Sequence, residues 1–178
     1  DDLDGSSMSP MVDYRCGIDQ YDGELACDDL RAFIQNVNGA YCAAADTGTT
    51  TITGGSVVFD CEGSGSAEGP AYVTIQASAT EALNTWSTAN CPYGVVVRFV
   101  GGDVVVGNGG MQQVDNTKTV YAMCDGVDTF TNNGLSVQAS IIGYNTHYVG
   151  NSGNHEGQIF VGSYEGDTQI HYFPLELC

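Results

Sequence analysis

From residue 49 onward the chain is written in short β-branched and aromatic runs, each cut off by glycine, asparagine or proline. Such runs are too short and too often interrupted for helices, and Val, Ile, Thr, Tyr and Phe suit a pleated, half-buried surface. The runs are Thr49–Thr53, Val57–Phe59, Ala71–Ala77, Val95–Val100, Asp103–Val106, Lys118–Met123, Leu135–Gly143, Gln158–Tyr164 and Thr168–Phe173. Gly54-Gly55 and Gly101-Gly102 sit between paired runs and predict hairpins. Asn132-Asn133-Gly134 predicts a turn with positive φ angles, and residues 151–154 a loop. The expected fold is therefore mainly β: an antiparallel sandwich, with an α+β sandwich as the alternative.

Two segments break this pattern. Leu30, Phe33, Ile34 and Val37 recur at helical spacing after Cys27. Asp28 and Asp29 suit the first turn and Asn38-Gly39 the end, so an amphipathic helix is expected there. Thr80–Trp86 reads as a second, short helix, with Ser78 or Thr80 as its cap.

Seven cysteines stand at 16, 27, 42, 61, 91, 124 and 178, no two closer than eleven positions. That spacing excludes CxxC zinc and thioredoxin patterns. With only one lysine, 24 glycines and wide cysteine spacing, the chain reads as secreted and oxidised. Cys16, Cys27, Cys42, Cys61, Cys91, Cys124 and Cys178 are all disulfide candidates, and the odd count leaves one over. The sequence leaves the pairing open. No apolar run is long enough to span a bilayer. Residues 1–15 are polar and acidic and read as an extended arm before one β-rich domain at 16–178.

A finer division rests on an internal echo. Val58-Phe59-Asp60-Cys61-Glu62-Gly63 precedes Val73-Thr74-Ile75-Gln76-Ala77-Ser78, and Tyr121-Ala122-Met123-Cys124-Asp125-Gly126 precedes Leu135-Ser136-Val137-Gln138-Ala139-Ser140. It divides the domain into two related β units, about 27–90 and 91–178, with Cys61 and Cys124 in equivalent places.

The net charge is −18, from 22 acids against four basic residues. Nucleic acid is excluded as a partner, because binding it requires a basic footprint. Anionic membrane surfaces and phosphate-rich ligands are disfavoured for the same reason. At 42% hydrophobic and 15% charged residues, the chain still has material for a core.

The chemistry-bearing residues are sparse. His147, His155 and His171 are the three histidines, and none shares a spacing that presets a metal site. No metal or other cofactor is expected. His155 beside Glu156 is the candidate acid–base pair for a hydrolase acting on a neutral polymer. No G-x-S-x-G elbow is present. Asp125, Asp128, Asn132 and Asn133 offer oxygen ligands in one loop but do not follow the EF-hand spacing. Tyr144, Tyr148, Tyr164 and Tyr172 gather with the three histidines in the last third. These seven residues form a candidate binding surface, for glycans or for another copy of the chain.

The block from Cys27 to Gly110 resembles small cystine-stapled secreted proteins of filamentous fungi, including killer-toxin-like effectors. The resemblance is carried by Cys27-Asp28-Asp29-Leu30, Asn38-Gly39-Ala40-Tyr41, Val58-Phe59-Asp60-Cys61 and the 71–77 segment running into 80–87 before Cys91. It implies the order helix, strands, helix, strands, and carries over no functional residue. The reading favoured by the whole sequence is a non-enzymatic secreted structural protein whose subunits self-associate into a fibre or coat. A carbohydrate- or host-protein-binding effector module and the hydrolase are the alternatives.

Overall fold

The computed structural model describes residues 24–62, 69–107 and 111–171. Among the described residues one long helix, α1 (Glu24–Ala43), comes first and is followed by fourteen strands. The first two, β1 (Thr49–Thr53) and β2 (Ser56–Asp60), are antiparallel and joined at Gly54-Gly55, as the sequence predicts. The other strand pairs are parallel. β3 (Ala71–Gln76) is followed by β4 (Thr85–Ala89), β5 (Val95–Val100) and β6 (Val104–Val106). Then come β7 (Met111–Gln113), β8 (Thr119–Met123), β9 (Thr129–Asn133), β10 (Val137–Gln138) and β11 (Ser140–Ser152). The last are β12 (Asn154–Glu156), β13 (Ile159–Gly166) and β14 (Gln169–His171).

The pairings describe a coil with three faces. The first face stacks β2, β4 and β7, and below them β10, β12 and β14. The second stacks β3, β5, β8 and the starts of β11 and β13. The third stacks β6, β9 and the ends of β11 and β13. From β4 onward each full turn of chain supplies one rung to each face. The coil tapers: Val95 lies beside Thr119, a step of 24 residues, while Tyr148 lies beside Tyr164, a step of 16. As the turns shorten, the corner between the second and third faces opens out, and the 13-residue β11 serves both faces.

The mainly-β expectation holds, but the antiparallel sandwich is replaced by this parallel coil. The reason is visible at Gly101-Gly102. Both have positive φ, at 80° and 128°, as a hairpin turn requires. Yet β5 and β6 do not pair with each other, and the glycines turn a corner between faces. The Gly101 N–H donates to the Asp125 carbonyl one turn below, so the partner is a later rung. A glycine pair marks a change of direction without specifying what the chain does next.

Two other expectations change. The predicted helix at 80–86 is a 3-10 turn at Ala77–Ala79 followed by β4. Trp86 drives the change, because alternation on β4 puts its indole fully inside the coil. α1 also runs past Asn38-Gly39. Asn38 donates its amide to the Met123 carbonyl, Tyr41 packs against Tyr72, and Cys42 is bridged to Cys124. These tertiary contacts outweigh a weak local stop signal. The echoed segments are not equivalent in space, since β2 lies on the first face and β8 on the second.

Four of the seven cysteines form two bridges among the described residues, Cys42–Cys124 and Cys61–Cys91. Cys16, Cys178 and the arm of residues 1–15 lie outside the described residues.

The interior is a continuous run of rings along the coil axis. Phe59 meets Trp86 at 6.0 Å, Trp86 meets Tyr121 at 6.0 Å, and Tyr121 meets Phe99 at 5.2 Å. Phe99 then meets Phe130, and Phe130 stacks on Tyr148 at 5.4 Å. Val57, Val73, Val97, Val104, Leu135 and Ile141 fill the space between. A second, smaller core lies outside the coil, where α1 covers the second face. There Ile34, Val37 and Tyr41 pack on Val96, Val120, Ala122 and Ile142.

Arg98, one of four basic residues, anchors the end of α1. It sits on β5 with only 9% exposure and pairs with Asp46 at 2.6 Å and the Thr74 hydroxyl at 2.8 Å. It also donates to the Cys42 and Ala44 carbonyls. A buried guanidinium requires such partners.

Candidate functional site

With α1 on the second face, no helix among the described residues lies on the third face of the coil. Strand alternation sets what it presents. Val104, Val106, Phe130, Asn132 and Tyr148 point inward and are buried. The residues between them point outward and stack from rung to rung about 4.8 Å apart. One row is Val105, Thr131, Val149 and Glu165, aligned by register. A neighbouring row is Thr129, His147 and Ser163, with Asp103 accepting the Thr129 N–H at its head. A third holds Asn133 and Asn151, whose side chains hydrogen-bond at 2.6 Å.

These rows contain few charges. Residues 129–155 contain no Asp, Glu, Lys or Arg, in a chain of net charge −18. The outward residues that β9 and β11 give this face, Thr129, Thr131, Asn133, His147, Val149 and Asn151, therefore carry no acid, and Asp103 and Glu165 stand at its margins. Its side chains are short and its rungs are regular, which makes it flat and repetitive.

The corners keep it so. Asn132 is fully buried, and its carboxamide oxygen accepts the N–H groups of Gly134 and Leu135. Its amide donates to the Leu135 carbonyl and the Tyr148 hydroxyl. Both ends of this side chain are thus committed to closing the corner between the third and first faces. Gly153 stacks one rung below with φ of 90°, and a Cβ there would approach the Leu135 carbonyl to 2.7 Å. Only glycine fits that close approach.

The structure separates the seven residues of the sequence-derived surface. His147 is on the third face, where its Nδ1 lies 2.7 Å from the Ser163 hydroxyl and its Nε2 3.5 Å from Glu165. Tyr144 is partly exposed at the corner leading into that face. Tyr164 is half-buried, stacked on Tyr148 at 5.3 Å, with its hydroxyl donating to the Thr168 carbonyl. Burial pushes its hydroxyl pKa up. His171 is partly exposed, but on the first face, beside Glu156. Tyr172 lies outside the described residues.

Tyr148 and His155 face the interior and are fully buried, so neither forms part of any surface. Burial raises the Tyr148 hydroxyl to about 12. His155 packs edge-on against Tyr148 at 5.9 Å. Burial lowers its pKa to about 3, and the nearby Gln158 and Ala139 backbone offsets only part of this. Such a histidine stays neutral and out of reach of a polymer, which removes the proposed His155–Glu156 acid–base pair. Glu156 is engaged elsewhere, accepting from Gln138 at 3.1 Å and Asn116 at 3.4 Å.

The outward rows of Thr129, Thr131, Asn133, Val149, Asn151 and Ser163 are absent from the sequence reading. Their signal was Thr129-x-Thr131-x-Asn133 answered by His147-x-Val149-x-Asn151, an alternation repeated after 18 residues. It is legible only once a parallel coil of that period is considered.

Among the described residues, no helix is long and apolar enough to cross a membrane. Also among them, no three His, Cys, Asp or Glu side chains gather as a metal-binding group. Neither the curated proteins nor the solved structures give a match to the chain. One family model does match, over residues 3–172, which is nearly the whole chain. Its description is "putative ice-binding-like adhesive domain", and the chain belongs to this family.

Proposed function

We propose that this domain is a non-enzymatic adhesive and structural module of the extracellular space. On this reading its copies associate with one another, and the helix-free third face is the surface through which they and larger bodies are held. The family membership and the two disulfides support an extracellular, adhesive role. The observation that carries the finer reading is the absence of acid among the outward residues of β9 and β11 on the third face. A chain of net charge −18 repels its own kind at long range. Contact between copies must then use surface that carries no acid, and Thr129, Thr131, Asn133, Val149 and Asn151 provide it on regular rungs. Flat, repetitive surfaces can match other repetitive surfaces at many points at once, so that weak single contacts add.

The test is light scattering by the full chain over rising concentration. Association is expected to strengthen as salt rises and as pH falls toward the pI of about 4.1, because both weaken self-repulsion. Thr131→Arg with Val149→Arg, which place bulky charges on the contact face, should weaken it at every salt concentration. A chain that stays monomeric throughout, and that does not adsorb to any surface, would defeat the reading.

A further inference from the structure

A coil of parallel strands ends in open edges, and the wide end of this one is almost completely closed. β3 is covered by the segment before β1: Thr47 and Gly48 donate to the Tyr72 carbonyl, and the Tyr72 N–H donates to the Thr47 hydroxyl. The Thr50 hydroxyl adds a bond to the Thr74 carbonyl. β6 is covered by Thr80, whose hydroxyl donates to the Val105 carbonyl and accepts the Val105 N–H. β2 is covered by β1. Among the described strands of this end, the outer edge of β1 is the one without a strand or side chain along it.

The backbone of that edge can be read from its turn. Gly54 and Gly55 both have positive φ, 57° and 82°, and Thr53 pairs with Ser56. This is a two-residue hairpin of the primed type, in which the closing pair is hydrogen-bonded. Alternation then directs the N–H and C=O groups of Thr53, Thr51 and Thr49 at β2, and those of Ile52 and Thr50 away from it. Ile52 is also 46% exposed, although its partner Val57 is fully buried.

Natural edge strands usually carry a lysine, proline or inward-pointing charge that blocks pairing. β1 is Thr-Thr-Thr-Ile-Thr and has none, and no charge occurs from Thr47 to Phe59. We infer that β1 is the strand by which two copies of this chain pair, antiparallel and about a two-fold axis. The inference rests on the self-association proposed above and names where the first contact forms.

The segment is complementary to itself. Centred on Thr51, Thr50 of each copy faces Ile52 of the other, which forms four backbone hydrogen bonds. The two half-exposed isoleucines become diagonal neighbours at the open end of the coil. Asp46 and Asp60 flank the strand pair β1–β2 at its far end from the turn, so a centred register keeps like charges of the two copies apart. The two four-stranded sheets headed by β1 become one of eight strands. A single short strand buries less surface than a stable dimer needs, so this pairing is weak and concentration-dependent. It is also closed, because a two-fold pairing uses the edge of β1 once in each copy. A fibre would then need a second contact, which the third face supplies.

Analytical ultracentrifugation of the full chain tests this. The wild type should show a monomer–dimer equilibrium. Ile52→Pro removes an N–H that points away from β2 and has no partner among the described residues, and Ile52→Lys places two like charges across the pair. Each should raise the concentration needed for dimerisation by about tenfold or more, with an unchanged circular dichroism spectrum. Should Ile52→Pro fold poorly, Ile52→Lys decides alone, since the position is exposed. If the wild type dimerises and the folded variants dimerise equally well, β1 is not the contact, while the adhesive reading survives. If the wild type is monomeric at every concentration, the inference and the self-association beneath it both fall.

Discussion

The second and third faces of the coil share a backbone and a rung spacing, and differ only in what their strands point outward. On the second face those residues are Val96, Val120, Ala122, Ile142 and Phe160, and α1 lies over them. On the third they are Thr129, Thr131, Asn133, Val149 and Asn151, and none of the described elements covers them. One strand, β11, takes part in both, apolar outward at Ile142 and polar at Asn151. The inward residues are mostly apolar on both faces, Asn132 at a corner being an exception, so the coil itself does not decide which face is covered. The outward alternate does, because burying threonine and asparagine under a helix would leave polar groups without partners.

The comparison can be broken by taking the helix away. Cys42→Ala with Cys124→Ala removes a bridge spanning 82 residues, and should cost roughly 4 kcal/mol of stability in chemical denaturation. The loss of helix signal should precede the loss of strand signal, and a dye for apolar surface should bind in between. If helix and strands melted together, the cover would be part of the coil rather than an addition to it.

A charge placed on each face sharpens the contrast. Val120→Asp, beneath the helix at 1% exposure, should cost about 4 kcal/mol, since an unpaired carboxylate is buried there. The same change on the open face, Thr131→Asp, should stay within about 0.5 kcal/mol. Equal costs would mean that the third face is covered in solution. That result would indicate tight association of copies through it.

An intermediate effect tests the interior that both faces share. His155 titrates near 3 in the folded chain and near 6.5 unfolded. The unfolded chain therefore binds the proton first. Stability should be complete above pH 6.5 and fall by a little over 1 kcal/mol per pH unit as pH drops toward 3. His155→Phe should flatten that part of the profile when unfolding is measured from pH 7 to 4. An unchanged slope would assign the acid sensitivity to carboxylates instead.

Much of this was legible in the sequence for physical reasons. The strands were visible because β-branched residues and glycine breaks are local signals, and nine runs correspond to strands or parts of them. The helix was visible from the spacing of Phe33, Ile34 and Val37. β11 is not legible as one strand of 13 residues, because the predicted run stops at Gly143 and residues 151–154, just after Gly150, read as a loop. In the coil the two glycines are close approaches: a Cβ on Gly143 would meet the Thr146 hydroxyl, and one on Gly150 the Thr168 hydroxyl. The candidate surface was partly misdrawn because a tyrosine or histidine on a strand looks the same from either side. One residue of register decides between Tyr148 in the core and His147 on the face.

What the sequence determined by itself was composition and local conformation: an acidic, oxidised, mainly-β chain, with one amphipathic helix and one Gly-Gly hairpin. Those follow from charge, thiol spacing and side-chain shape, which act over a few residues. What only the tertiary structure decided was how the strands pair. Whether Gly101-Gly102 folds the chain back on itself or turns it toward the next face depends on partners 24 residues away, Val95 beside Thr119. Glycine permits both outcomes locally, and the coil is the one that buries the rings of Phe59, Trp86, Phe99, Tyr121, Phe130 and Tyr148 along one axis. That long-range choice is also what gathers Thr129, Thr131, Asn133, Val149 and Asn151 on one face that none of the described elements covers.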